Sequence, residues 1–141
     1  MAISVSQANS NKVYALIESD TEKEQGGLFV SNDAGMSWKR ISKDHRLVSR
    51  AWYYIEVFAD PQQEQTVYVL GAAGLKSTDG GQTWTNIRGT HGDYHQLWIN
   101  PKNNQNMIIS NDGGAAVTFN GGNVWTSQNN QPNKFYSRFN L

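Results

Sequence analysis

Cysteine is absent from the 141 residues. That excludes a disulfide scaffold, a zinc–thiolate site and a cysteine nucleophile. Net charge is absent too: 12 Lys and Arg balance 12 Asp and Glu. Without a basic stripe or tail, nucleic acid is not an expected partner, and no strong field steers the chain to an anionic membrane. No apolar run approaches the roughly 18 residues needed to span a bilayer. The start, Met1 to Val5, has no charged stretch leading into an apolar one, so it does not read as a signal peptide. Helical periodicity is missing throughout, so helix should be scarce. What is abundant is aromatic: five Trp, six Tyr and five Phe argue for a packed domain, not a disordered one.

Self-similarity organises the rest. Ser31 to Trp38 (SNDAGMSW), Ser77 to Trp84 (STDGGQTW) and Thr118 to Trp125 (TFNGGNVW) align without gaps. Their tryptophans are 46 and 41 residues apart, the period of one four-stranded propeller blade. Two short β-like runs precede each segment: Val13–Ile17 and Gly27–Val30, Thr66–Leu70 and Gly74–Lys76, Met107–Ser110 and Ala115–Thr118. An earlier run precedes each pair (Ala2–Val5, Tyr54–Phe58, Gln96–Ile99), and a short run follows each tryptophan. The expected architecture is all-β: three four-stranded antiparallel blades spanning 1–43, 52–88 and 94–128, plus one extra strand over 134–141. Three blades leave a ring incomplete. The chain is therefore expected either to form part of a larger propeller or to assemble as a homo-oligomer, two copies giving a six-bladed ring.

Each repeated segment reads as a tight turn between the third and fourth strands. Asp33, Asp79 and Asn120 can accept backbone N–H bonds across it. Gly35, Gly81 and Gly122 permit a positive φ, and Trp38, Trp84 and Trp125 supply an apolar anchor. The pattern Ser-x-Asp-x-Gly-x-Thr-Trp resembles the Asp box, or BNR repeat, of sialidases, sortilin-type receptors and other propeller families. The second copy matches it fully. The first has Ser37 for Thr, and the third has Thr118, Asn120 and Val124. The resemblance implies a structural role for these residues.

Alternating strand direction puts these turns on one face and the loops linking successive blades on the other, where function is expected. Those loops carry Arg50, Trp52, Tyr53 and Tyr54, then His91, Asp93 and His95, then Gln131. Asn111 and Asp112 lie on a hairpin of the same face. Arg50–Tyr54, His91–Ile99, Asn111–Gly114 and Asn130–Pro132 resemble segments of large bacterial secreted Asp-box propellers, labelled sortilin-like or glycosyl hydrolase, and the elements His91–His95 and Asn111–Gly114 are also similar to ones in the xyloglucan-degrading enzymes. The resemblance implies an extracellular or periplasmic setting. It also implies a catalytic role for Asp112; a glycosidase needs a second carboxylate, and Asp93, expected at the same rim, is the candidate. A sialidase would instead need clustered arginines, for which Arg46, Arg50 and Arg88 are the candidates.

Several readings of the same residues remain open. His91, Asp93 and His95 alternate, so on an extended segment they would share one side, as metal ligands, acid–base groups or a hydrogen-bonded anchor. Trp52, Tyr53, Tyr54 and Tyr94 read as sugar platforms or as rim packing. No cofactor or resident metal is expected. The leading expectation is a non-catalytic recognition or scaffold module that binds glycan or protein at the channel rim through Arg50, Trp52, Tyr53, Tyr54, His91, His95, Asn111 and Gln131. The alternatives are a glycoside hydrolase and a purely structural blade set.

Overall fold

A computed structural model describes residues 1–19, 21–22 and 25–129. The expected strand 134–141 and Gln131 lie outside these residues. The described chain is nearly all β, arranged as three antiparallel blades in sequence order. Blade one is β1 (Ala2–Val5), β2 (Val13–Ile17), β3 (Gly27–Ser31) and β4 (Lys39–Ser42). Blade two is β5 (Glu56–Ala59), β6 (Val67–Leu70), β7 (Gly74–Ser77) and β8 (Thr85–Asn86). Blade three is β9 (Tyr94–Ile99), β10 (Met107–Asn111) and β11 (Gly114–Thr118).

The third sheet thus has three strands where four were expected. Its fourth position is only outlined: Thr126 N donates to Val117 O at 2.9 Å, and Val117 N to Thr126 Oγ1 at 3.0 Å. One of these two bonds thus runs through a side chain in place of a ladder rung.

Successive blades pack face to face. Tyr14, Leu16, Leu28 and Val30 of blade one bury Val57, Val67, Val69 and Leu75 of blade two. Tyr68 and Leu70 of blade two do the same for Leu97, Met107, Ile109 and Ala116 of blade three. Period-two alternation explains this sorting: odd and even positions of a strand must face opposite neighbours, so both faces need apolar residues. The innermost strands β1, β5 and β9 share a cleft of about 270 Å³ lined by Val5, Phe58, Leu97 and Trp98.

The three repeated turns fold alike. Ser31 Oγ donates to Asp33 Oδ1 (2.6 Å), while Asp33 accepts Ser37 N (2.8 Å) and Ser37 Oγ (2.5 Å). Asp79 accepts the matching bonds from Ser77 Oγ (2.7 Å), Thr83 N (2.9 Å) and Thr83 Oγ1 (2.6 Å). Asn120 keeps two of the three, from Thr118 Oγ1 and Val124 N, both 2.9 Å, because valine has no hydroxyl to give. Gly35, Gly81 and Gly122 all have positive φ, as their position in the turn requires. The preceding residue is also left-handed at each turn, including Ala34 at φ 56°, a strained choice where the other copies have glycine.

Hydrogen bonds to the carboxylates hold two of these groups well below the ordinary range. Asp33 falls to about 2, chiefly through the Ser31 hydroxyl and then Ser37. Asp79 also falls to about 2, chiefly through Thr83 and then Ser77. Each turn also docks on the hairpin between the first two strands of its blade: Ala34 N donates to Asn11 O, Gly80 N to Gln65 O and Gly121 N to Gln105 O. One face of the molecule is therefore a repeated backbone scaffold.

Candidate functional site

The opposite face is irregular, and each loop has its own construction. The loop from blade one to blade two begins with Asp44, whose side chain caps a short 3-10 helix, His45–Val48, by accepting Arg46 N. Leu47 of that helix is 1% exposed and packs into the core between blades one and two. The loop is thus pinned before it reaches the rim. Beyond the pin, Trp52 is 75% and Tyr53 64% exposed.

Arg50 organises this stretch. Its guanidinium carbon lies 5.8 Å from the Trp52 ring and 5.4 Å from the Tyr53 ring, while Nη1 pairs with the Asp93 carboxylate. An arginine can serve both partners because its planar face suits a ring and its edge suits a carboxylate. Two aromatic rings stand in solvent, held by a cation that is itself held by an anion.

Asp93 sits at a junction. Its own φ is +53°, rare for a residue with a side chain. Its N–H donates to Ala72 O (3.1 Å), and its carbonyl accepts Asp112 N (3.3 Å). The left-handed turn breaks the expected alternation of His91, Asp93 and His95, because only Tyr94 onward is extended. The three side chains accordingly part company. His91 Nδ1 contacts Gly92 O (3.0 Å), Asp93 meets Arg50, and His95 Nε2 contacts Asp112 Oδ1 (2.8 Å). Among the described residues no group of three or more His, Asp or Glu could hold a metal ion.

Blade three contributes a second network. Tyr54 OH donates to His95 O, and its ring lies 5.5 Å from the His95 ring. Asn111 is 1% exposed at the end of β10, where the pairing with β9 shifts register after Ser110. Its Oδ1 accepts Gly113 N (3.0 Å) and Gln128 Nε2 (2.9 Å). Gln128 Oε1 in turn accepts His91 N (2.9 Å). A cleft of about 380 Å³ opens beside this network, lined by Thr90, His91, Asp112, Gly113 and Gln128.

Measured against the sequence reading, the structure joins Arg50, Trp52, Tyr53 and Asp93 in one cluster and Tyr54, His95 and Asp112 in another. It separates Tyr94 from both: at 4% exposure, with its hydroxyl on Thr90 Oγ1, Tyr94 is core and offers no platform. Arg46 serves Asp44 and Asn86, and Arg50 serves Asp93, so these two candidate arginines do not converge as a sialidase would need. Sequence reasoning missed Gln128, the bridge between His91 and Asn111. It also missed Leu47, whose apolar character within a polar loop was the available signal.

No protein-family model matches the chain, and no curated protein matches it. Solved structures do. The GH74 enzyme of Niastella koreensis superposes over 89% of this chain with a TM-score of 0.64 and 20% identity. YCF48 from Cyanidioschyzon merolae covers the same share at 0.60 and 22%. A structure of YCF48 bound to D1 peptide covers it at 0.58 and 18%. The chain spans 17% of the first of these proteins and 35% and 39% of the other two. At these identities the likeness establishes the fold, a β-propeller.

Proposed function

We propose that the chain is a propeller recognition module whose ligand, a glycan or an extended segment of protein, lies across the loops joining the blades. One observation carries this reading: Trp52 and Tyr53 stand largely exposed on a loop that is pinned at Leu47 and clamped by Arg50 and Asp93. Large aromatic rings in water are costly unless they are used, and rings fixed in advance lose little entropy on binding. His95, Asp112 and His91 supply polar partners beside them, with Asn111 behind as an anchor. Binding a peptide is a property of one fold neighbour, YCF48. The repeated turns, in this reading, are Asp boxes: scaffold, not site.

The second reading, part of a glycoside hydrolase, draws on the GH74 neighbours and on Asp93 and Asp112 at one rim. Geometry favours it less. Each carboxylate is engaged by its own partner, Asp93 by Arg50 and Asp112 by His95, and the two line different clefts.

Titration of the protein's tryptophan fluorescence with xyloglucan oligosaccharides and with a random peptide library distinguishes the readings. Binding to either that drops at least tenfold in Trp52→Ala, with the fold intact, supports recognition. Unchanged binding in that variant removes the aromatic clamp from the proposal. Release of reducing ends that disappears in Asp112→Asn would place the chain with the hydrolases.

A further inference from the structure

The two internal blade junctions follow one plan and differ at three points. Register matches Leu28 and Val30 of β3, paired with Leu16 and Tyr14, to Gly74 and Lys76 of β7, paired with Leu70 and Tyr68. Between blades one and two, Leu28 and Val30 are buried, and Leu28 Cδ2 lies 2.3 Å from where a Cβ on Gly81 would stand. Leucine thus fills the space beside the turn of the next blade. Between blades two and three the matching residue is Gly74, which sends no side chain across. Ile87 and Tyr94 crowd over Gly74, but at Gly122, the counterpart of Gly81, the nearest atoms are those of Trp125. A cavity of about 130 Å³ lies there, lined by Tyr68, Lys76, Ile87, Leu97, Gly122 and Trp125.

The other two differences bring hydrogen-bond donors to this cavity. Lys76 stands where blade one has valine. Its Nζ donates to Gly121 O (3.0 Å) and lies 5.5 Å from the Tyr68 ring. Among the described residues no carboxylate forms an ion pair with it. Burial holds the ammonium below its ordinary range against the attraction of Asp60, whose own oxygens accept Asn104 Nδ2, Gln62 N and Gln63 N. Trp38 and Trp84 donate Nε1 to Gly35 O (3.0 Å) and Gly81 O (3.1 Å). Trp125 is 9% exposed, and its Nε1 is buried with no such bond. The two groups meet at adjacent residues: Lys76 Nζ at Gly121 O, and Trp125 Nε1 at 3.8 Å from the Cβ position of Gly122.

An ammonium and an indole N–H can only donate, so what suits them both is an acceptor. A half-buried cation without an anion favours one that carries negative charge. Ile87 and Leu97 make part of the wall apolar, which suits an aliphatic chain better than a phosphate or sulfate. A cavity of roughly 150 Å³ admits benzene, so about six non-hydrogen atoms fit. We propose that this cavity binds a small carboxylate, its oxygens taken by Lys76 Nζ and Trp125 Nε1 and its carbon chain by Ile87 and Leu97. The carboxylate is either a free short-chain acid or an acidic side chain of a partner protein. The site lies against the third repeated turn and does not depend on the blade-joining loops binding anything.

Nuclear magnetic resonance of the full chain tests it, because each of the five tryptophans gives its own indole N–H signal. Trp125→Phe identifies the relevant one. Butyrate, titrated at constant ionic strength, should move the Trp125 signal saturably and leave the other four in place. Butyramide, its neutral counterpart, should bind at least tenfold more weakly, a comparison that needs no variant to fold. Lys76→Met should weaken butyrate binding at least tenfold while the other indole signals stay where they are. A blocked Gly-Glu-Gly peptide that binds more tightly than butyrate assigns the carboxylate to a partner's side chain, and one that binds less tightly assigns it to a free acid. No saturable shift with butyrate, as from a cavity that holds water alone, would overturn the proposal. So would an equal response to butyramide, or butyrate binding unchanged in Lys76→Met.

Discussion

The two faces of this molecule are built by opposite rules. On the face of the repeated turns, three copies of one hydrogen-bond pattern recur with changes of a single group: Ser37 for Thr83, Asn120 for Asp79, Val124 for Thr83. On the other face no loop repeats another among the described residues. One loop is pinned by a 3-10 helix, the next turns through a left-handed Asp93, and the hairpin after β10 closes on a buried Asn111. Repetition marks what the fold needs, since every blade must solve the same packing problem. Irregularity marks where the fold leaves freedom, and chemistry collects there.

Substitutions can break or sharpen that contrast. The largest effect is expected at the scaffold. Leu28→Ala removes a fully buried side chain that reaches toward Gly81 of the next blade, and should cost about 3 kcal/mol in urea denaturation. Acid comes next. The turn carboxylates are depressed when folded, so their stabilisation is complete above their unfolded value, near 4, and is lost as pH falls through about 2. Melting temperature should therefore drop between those limits. Joint replacement Asp33→Asn and Asp79→Asn should flatten that drop, because the third turn already works with asparagine. Ala34→Gly relieves the one non-glycine left-handed residue of the turns and should add up to about 1 kcal/mol by the same denaturation measurement.

The rim should behave differently. Arg50→Met removes a half-exposed ion pair and should change stability by less than about 1 kcal/mol, while freeing the Trp52 and Tyr53 rings, read as faster fluorescence depolarisation. Trp52→Ala should be smallest of all, within about 0.5 kcal/mol. Equal losses at Leu28 and Trp52 would erase the distinction between the faces.

The scaffold was largely legible in the sequence, and the reason is physical. The bounds of Ala2–Val5 and Val13–Ile17 follow from the sequence, because short apolar runs between turn residues leave little choice. The three turns were legible because each needs a hydroxyl, an acceptor and glycine at fixed offsets. At the fourth position of blade three the sequence marks the pairing of Thr126 with Val117, but not that one of its two bonds runs through the threonine hydroxyl. The rim was legible as a set of residues but not as a set of pairs. Arg50 finding Asp93, and Tyr54 finding His95, join positions 43 and 41 residues apart through the docking of two blades, which no local pattern encodes. The alternation of His91, Asp93 and His95 misled because a single left-handed residue cancels it.

Leu47 has one more consequence. A loop held by an apolar peg at its base and an arginine clasp near its tip behaves as an interchangeable cartridge. Its outer residues can be randomised while the peg keeps the backbone entering the rim at a fixed point. Trp52 and Tyr53 would then be two letters in a replaceable word, and a library varying only those positions would present new rim surfaces on an unaltered frame.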